Sequence, residues 1–176
     1  GSEMCIRDRI VCRELGLDVD ELRRGLLSFE GVEHRLESAG SVKGVKFVND
    51  SKSTNVDSTI KAVNAFGEKT YLILGGRDKN LDFCELFAKM PPRVKKIALI
   101  GEAAETIASF AQRKGFKRYC FCDGLENAVR TLYAEASAGD VILLSPACAS
   151  FDSYRNFAER GEHFKKIVEK LKNETY

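Results

Sequence analysis

The run Asn49-Asp50-Ser51-Lys52-Ser53-Thr54-Asn55 sets seven polar residues between an apolar stretch and a helical pattern. One or two such residues suffice to cap a helix, because Ser, Thr, Asn and Asp accept from its first free N–H groups. Six residues of those types with a lysine among them exceed that need. Backbone donors at a helix start, combined with an ammonium, make an anion site. A second candidate, Gly75-Gly76-Arg77-Asp78-Lys79-Asn80, couples a tight glycine turn to two cations. It is neither GxGxxG nor GxxxxGKS/T, so it carries neither a dinucleotide fingerprint nor a P-loop. If both segments share one rim, Lys52, Arg77 and Lys79 converge where an acidic ligand could be held.

A third segment runs Leu144-Ser145-Pro146-Ala147-Cys148-Ala149-Ser150-Phe151-Asp152. Small residues there let a ligand approach the backbone, while Ser150 and the amides around Phe151 suit a carboxylate. A Cys148 nucleophile would need a base. The two histidines, His34 and His163, form no recognisable Cys-His signature, so Cys148 reads as a small packing residue. His163 falls within the final helical pattern without a second metal-binding residue beside it. Gly101-Glu102-Ala103 and Asp123-Gly124-Leu125 read as ordinary turns into helices.

These segments need elements to position them. Ile10, Val11 and Leu15 share a helical face that Gly16 ends, and Asp18 can cap a second helix carrying Leu22, Leu26 and Phe29. Leu36–Ser38 and Val45–Val48 form extended runs around a Lys43-Gly44 turn, a hairpin. Apolar strands follow at Tyr71–Leu74, Ile97–Ile100, Tyr119–Cys122 and Val141–Leu144. Helical patterns cover about 55–66, 82–90, 103–114 and 125–137, and a last one about 154–171, with Phe157, Phe164, Ile167, Val168 and Leu171 on one face. This alternation predicts an α/β, Rossmann-like, mostly parallel six-stranded sheet with helices on both faces and a hairpin as its first strand pair. Ligands of such sheets sit beyond the carboxyl ends of the strands, where the three polar segments fall.

Composition narrows the functional classes. The 176 residues, 44% of them hydrophobic, are enough for one domain with a substantial core, and a formal charge of +2 gives no field to recruit nucleic acid or an anionic membrane. The six cysteines, at 5, 12, 84, 120, 122 and 148, lack the spacing of a disulfide framework or zinc site and read as reduced, cytosolic thiols. Cys120 and Cys122 point to one face of a strand. No apolar stretch is long enough to span a bilayer and no signal-peptide pattern opens the chain, so the expectation is a cytoplasmic protein. Residues 1–9 read as a remnant of cloning or of sequence assembly.

At its polar segments the chain resembles the Mur ligases of bacterial cell-wall synthesis, most of all their D-glutamate-adding branch. Gly31-Val32-Glu33-His34-Arg35, the stretches at 49–55, 74–79 and 144–152, Asn156-Phe157 and Arg160-Gly161 carry the likeness, which covers roughly residues 10 to 171. The resemblance implies that residues 32–176 are the amino-acid-binding domain of a ligase. Such an enzyme activates UDP-N-acetylmuramoyl-L-alanine with ATP to an acyl phosphate that D-glutamate attacks. It implies that Lys79 and Thr54 hold the α-carboxylate of D-glutamate, and that Ser150 with the backbone near Phe151 and Phe157 holds its side-chain carboxylate. Lys52 would lie at the reacting end, and Arg35 and Asp50 would contact the adenine nucleotide. Nothing before Ile10 supplies the family's UDP-binding domain or its central domain with P-loop and metal ligands, so residues 10–31 read as the helical tail of that central domain. ATP and Mg2+ would then serve the full-length enzyme, with neither held by this chain alone. A sister ligase, a folylpolyglutamate-type synthetase domain and a non-catalytic Rossmann-like anion-binding module are the alternatives.

Overall fold

The computed structural model describes residues 10–16, 18–28 and 31–175. The expectations for residues 1–9 and for Phe29 lie outside the described residues, as does the placing of the Leu26 side chain. The chain divides at Gly31 into two compact units.

In the first unit, helix α1 (10–14) ends at Gly16, whose φ of 85° suits glycine, and helix α2 (Val19–Ser28) follows. Asp18 caps α2 reciprocally: its Oδ1 accepts from Glu21 N at 2.7 Å, while Glu21 Oε2 accepts from Asp18 N at 3.0 Å. Ile10, Val11, Leu15, Val19 and Leu27 are exposed, as expected of two short helices that cannot cover their own apolar faces.

The second unit is built on a six-stranded sheet: β1 (Glu37–Val42), β2 (Val45–Asn49), β3 (Thr70–Gly75), β4 (Val94–Ile100), β5 (Tyr119–Phe121) and β6 (Val141–Leu144). Its order is β1-β2-β6-β3-β4-β5; the β1–β2 hairpin is antiparallel and every other pairing parallel. Alternate residues of the inner strands feed opposite faces. Leu72, Leu74 and Leu143 pack with α3 (Val56–Asn64), α4 (Cys84–Ala88) and α5 (Ala104–Arg113). Tyr71, Ile73, Ile142 and Leu144 pack with α6 (Gly124–Tyr133) and α7 (Phe157–Thr175). The expected Rossmann-like sheet with helices on both faces is therefore the one observed.

Several boundaries depart by a few residues, as where β4 opens at Val94 and α6 ends at Tyr133, and two departures have a visible cause. Leu36 does not open β1; it adopts φ 47° and gives its N–H to Asp50 Oδ1 at 3.3 Å, so the strand begins at Glu37. The last helix begins at Phe157 rather than near 154, because Asn156 Oδ1 caps Glu159 N at 2.8 Å, and it continues to Thr175. Its buried face is headed by Arg160 and Gly161 and continues with Phe164, Ile167, Val168 and Leu171, and Phe157, in phase with them at the first position, is half-buried. Cys120 and Cys122 do share a face, with Sγ atoms 3.9 Å apart.

Candidate functional site

Strand order assembles the site. β6 lies between β2 and β3, so the polar segments that follow these three strands emerge side by side at one end of the sheet, the crevice position of an open α/β fold. Backbone bonds knit them together: Asp50 N to Leu144 O at 2.8 Å, Gly75 N to Pro146 O at 2.9 Å, Arg77 N to Ala149 O at 2.8 Å. Gly75 and Gly76 run at φ 121° and 139°, and a Cβ on either would collide with a carbonyl oxygen, of Ile100 and Ala149 respectively. Ala147 and Asn80 in the same loops, with His34 and Leu36 on either side of Arg35, are non-glycine residues at positive φ. Each such residue costs on the order of 1–3 kcal/mol, a strain that gathers at this rim.

Accounting for the seven polar residues after β2 shows which remain for a ligand. Asn55 caps α3 by accepting from Ser58 N at 2.9 Å, and that satisfies the capping need. The Asn49 side chain accepts from Ser51 N at 3.2 Å and gives its amide to His34 Nδ1 and Glu37 Oε2 at 3.0 and 2.9 Å. Asp50 accepts from Ser145 Oγ at 2.7 Å, and burial raises its pKa above the ordinary carboxylate value. Ser51 donates to Phe157 O at 2.7 Å, and Ser53 is buried. Lys52 and Thr54 are left half-exposed, held through Lys52 N to His34 O and Thr54 N to Lys52 O, both 3.0 Å.

Of the three cations expected at the rim, one is engaged elsewhere. Arg77 turns to Glu102, 3.2 Å away, because the loop after β4 places that carboxylate within its reach. Lys52 and exposed Lys79 have no carboxylate partner among the described residues, and Lys52 Nζ lies 5.6 Å from the centre of the Phe157 ring. Ser150 is buried in the loop after β6, whereas Phe151 is 63% exposed. As first residue of α7, Phe157 has an amide with no intrahelical acceptor. Arg35 and Asp50 line one shallow depression with Leu36, Ser53, Ser58 and Lys61. Cys148 is fully buried, and burial pushes its thiol up to about 12, which leaves a protonated packing residue. His163 is half-buried in α7, its Nδ1 2.7 Å from the Tyr154 hydroxyl.

Arg160 was assigned no role from sequence, yet it is 1% exposed and sits among the loops. Its Nε donates to Ser51 Oγ at 3.0 Å and its Nη2 to the carbonyls of Ser51 and Cys148 at 2.9 and 3.1 Å. Two signals point to it in the sequence: its place in the family likeness, and its phase four residues before Phe164, on the face where α7 is otherwise apolar. Glu33, His34 and Glu162 have the spacing of a metal cluster. Lys165 Nζ, 2.9 Å from Glu33 and 2.6 Å from Glu162, already supplies the cation.

A family model described as "Mur ligase, glutamate ligase domain" matches residues 34–148. The UDP-N-acetylmuramoylalanine–D-glutamate ligase of Desulfitobacterium hafniense (strain Y51) is 45% identical over 156 residues, 89% of this chain and 34% of that protein. The enzyme of the same name from Clostridioides difficile (strain 630) is 41% identical over 170 residues, 97% of this chain and 38% of that one. The chain thus spans about a third of the length of the curated relatives it matches. Among solved structures, the UDP-N-acetylmuramate-alanine ligase of Thermotoga maritima superposes with a TM-score of 0.66 at 16% identity, over 93% of this chain and 36% of that one. A folylpolyglutamate synthase of Mycobacterium tuberculosis, complexed with ADP and AMPPCP, gives 0.60 at 16% identity, over 84% and 35%. These two show the fold alone. Among the described residues, no helix is long and apolar enough to cross a membrane.

Proposed function

The chain belongs to the Mur ligase family, and from that membership we propose that it is the D-glutamate-binding part of an ATP-dependent ligase acting on UDP-N-acetylmuramoyl-L-alanine. The observation that carries the reading is the rim itself: Lys52, Thr54, Lys79 and Ser150 stand on loops after three adjacent strands, with both lysines free of carboxylate partners among the described residues. A dicarboxylate needs two donor clusters. Lys79 with Thr54 would take the α-carboxylate; Ser150 with the amides near Phe151 and Phe157 would take the side-chain carboxylate.

Hydrogen bonds to charged groups contribute roughly 1.5–3 kcal/mol each, enough to hold the amine of D-glutamate in line with a carbonyl carbon. The amine attacks uncharged, the acyl–phosphate C–O bond breaks as the C–N bond forms, and the surplus amine proton leaves to the departing phosphate or to water. Lys52, over the Phe157 ring, would offset negative charge on the departing phosphate. Arg35 and Asp50 would meet the adenine nucleotide at their shared depression.

ATP and UDP-N-acetylmuramoyl-L-alanine would be held chiefly by the remainder of such a ligase, and residues 10–31 would be the tail of its central domain. Mg2+ would belong there too, since the cluster at Glu33, His34 and Glu162 is already neutralised by Lys165. Two measurements on the purified chain test the reading. Amide shifts on titration should saturate with D-glutamate and not with L-glutamate. With UDP-N-acetylmuramoyl-L-alanine and ATP present, no D-glutamate-dependent phosphate release should occur. Equal responses to both enantiomers, or robust release, would sink it.

A further inference from the structure

Arg160 is a buried cation without an ion pair. No carboxylate lies within salt-bridge distance of it among the described residues, its Nη1 has no acceptor, and burial lowers its pKa to about 10, which leaves it charged at neutral pH. The rest of its helix face is Phe164, Ile167, Val168 and Leu171, so an aliphatic side chain at 160 would continue that face without desolvating a charge. What an aliphatic group could not do is reach two loops. The guanidinium bonds both the hydroxyl and the carbonyl of Ser51, the residue before Lys52, and the carbonyl of Cys148, two residues before Ser150. Ser51 passes the constraint on to Phe157 O, and a Cβ on Gly76, in the loop that leads to Lys79, would lie 3.2 Å from Nη1.

We propose that Arg160 is a positioning residue: its planar fork sets the spacing between the loop bearing Lys52 and Thr54 and the loop bearing Ser150, so that the two donor clusters stand ready for a dicarboxylate. The inference rests on the reading of this rim as the amino-acid site. Lysine keeps the charge but lacks the fork, which separates the two contributions.

The test uses the 176-residue chain and amide NMR. In Arg160→Lys, amides of residues 51–54 and 148–150 should exchange with solvent about tenfold faster or more, those of Leu72 and Leu143 should not change, and D-glutamate affinity should fall about tenfold. In Arg160→Gly, millimolar guanidinium should restore part of that affinity, a rescue that an aliphatic packing role would not allow. Unchanged exchange in both loops overturns the inference, as does faster exchange spread through β3 and β6, which would make Arg160 a general prop of the core. If wild type fails to bind D-glutamate, the reading of the rim falls instead, and the exchange measurement, which needs no ligand, still decides the role of Arg160.

Discussion

Asp50 keeps its carboxyl beside the Ser145 and Ser53 hydroxyls and the Leu36 amide, fully buried, and burial raises its pKa from the ordinary 3.8. In the pH window above 3.8 and below the folded value, the unfolded chain releases this proton first. Stability from this group therefore falls as pH rises through that window. Asp50→Asn keeps an acceptor and removes the titration, so its unfolding midpoint should match or exceed wild type at pH 7, and the difference should shrink toward pH 4 in parallel thermal melts. Lys79, exposed and without a carboxylate partner among the described residues, should on the proposed reading matter to the ligand alone. In a ligase rebuilt around this chain, Lys79→Ala should raise the KM for D-glutamate about tenfold or more and leave that for ATP near normal. A change confined to ATP would remove Lys79 from the amino-acid site. At this scale the sequence was legible where chemistry is local. Lys52 and Thr54 stand out because Asn49, Asp50, Ser51 and Asn55 have structural partners and Ser53 is buried. Arg77 misled because its partner, Glu102, comes from a different strand end, and Arg160, though part of the family likeness, gave no sign of its role because burial of an arginine depends on what folds over it.

Helix α7 approaches the end of β2 so closely that a Cβ on Gly161 would collide with His34 Nδ1 and lie 3.0 Å from Asn49 Nδ2. Gly161→Ala favours the helix intrinsically, yet the overpacking should dominate, lowering stability by roughly 1–3 kcal/mol in urea titrations. A stabilised variant would show that α7 can retreat. The inner strands were readable because each is a short apolar run between turn signals, and Val141–Leu144 was read to the residue. Helix ends were less so: Cys84–Ala88 is shorter than its pattern, and the start of α7 depends on Asn156, one polar residue among several able to cap.

For the molecule as a whole, what local pattern could not supply is the order of the strands. Nothing in the run at 141–144 says that it lies between β2 and β3, since six apolar strands can pair in many ways and the choice follows from crossover geometry and from the covering helices. The rim depends on that choice. With β6 in the middle, the loop bearing Ser150 emerges between the loops bearing Lys52 and Lys79. The same placement bears on how the chain is made. Of the six strands, β6 leaves the ribosome last, and its partners wait for it: Asp50 and Ser145, which bond across the β2–β6 junction, are 95 residues apart. Until it arrives, β2 and β3 present inner edges with unpaired backbone groups, the kind of surface that recruits other chains. Nested truncations should show this as a step, with chains ending before Val141 insoluble and those that include α7 soluble. A gradual rise in solubility with length would mean that the first strands shield themselves. With the latest of its strands at the centre, a partly finished chain lacks the loop after β6 and so cannot display a finished rim.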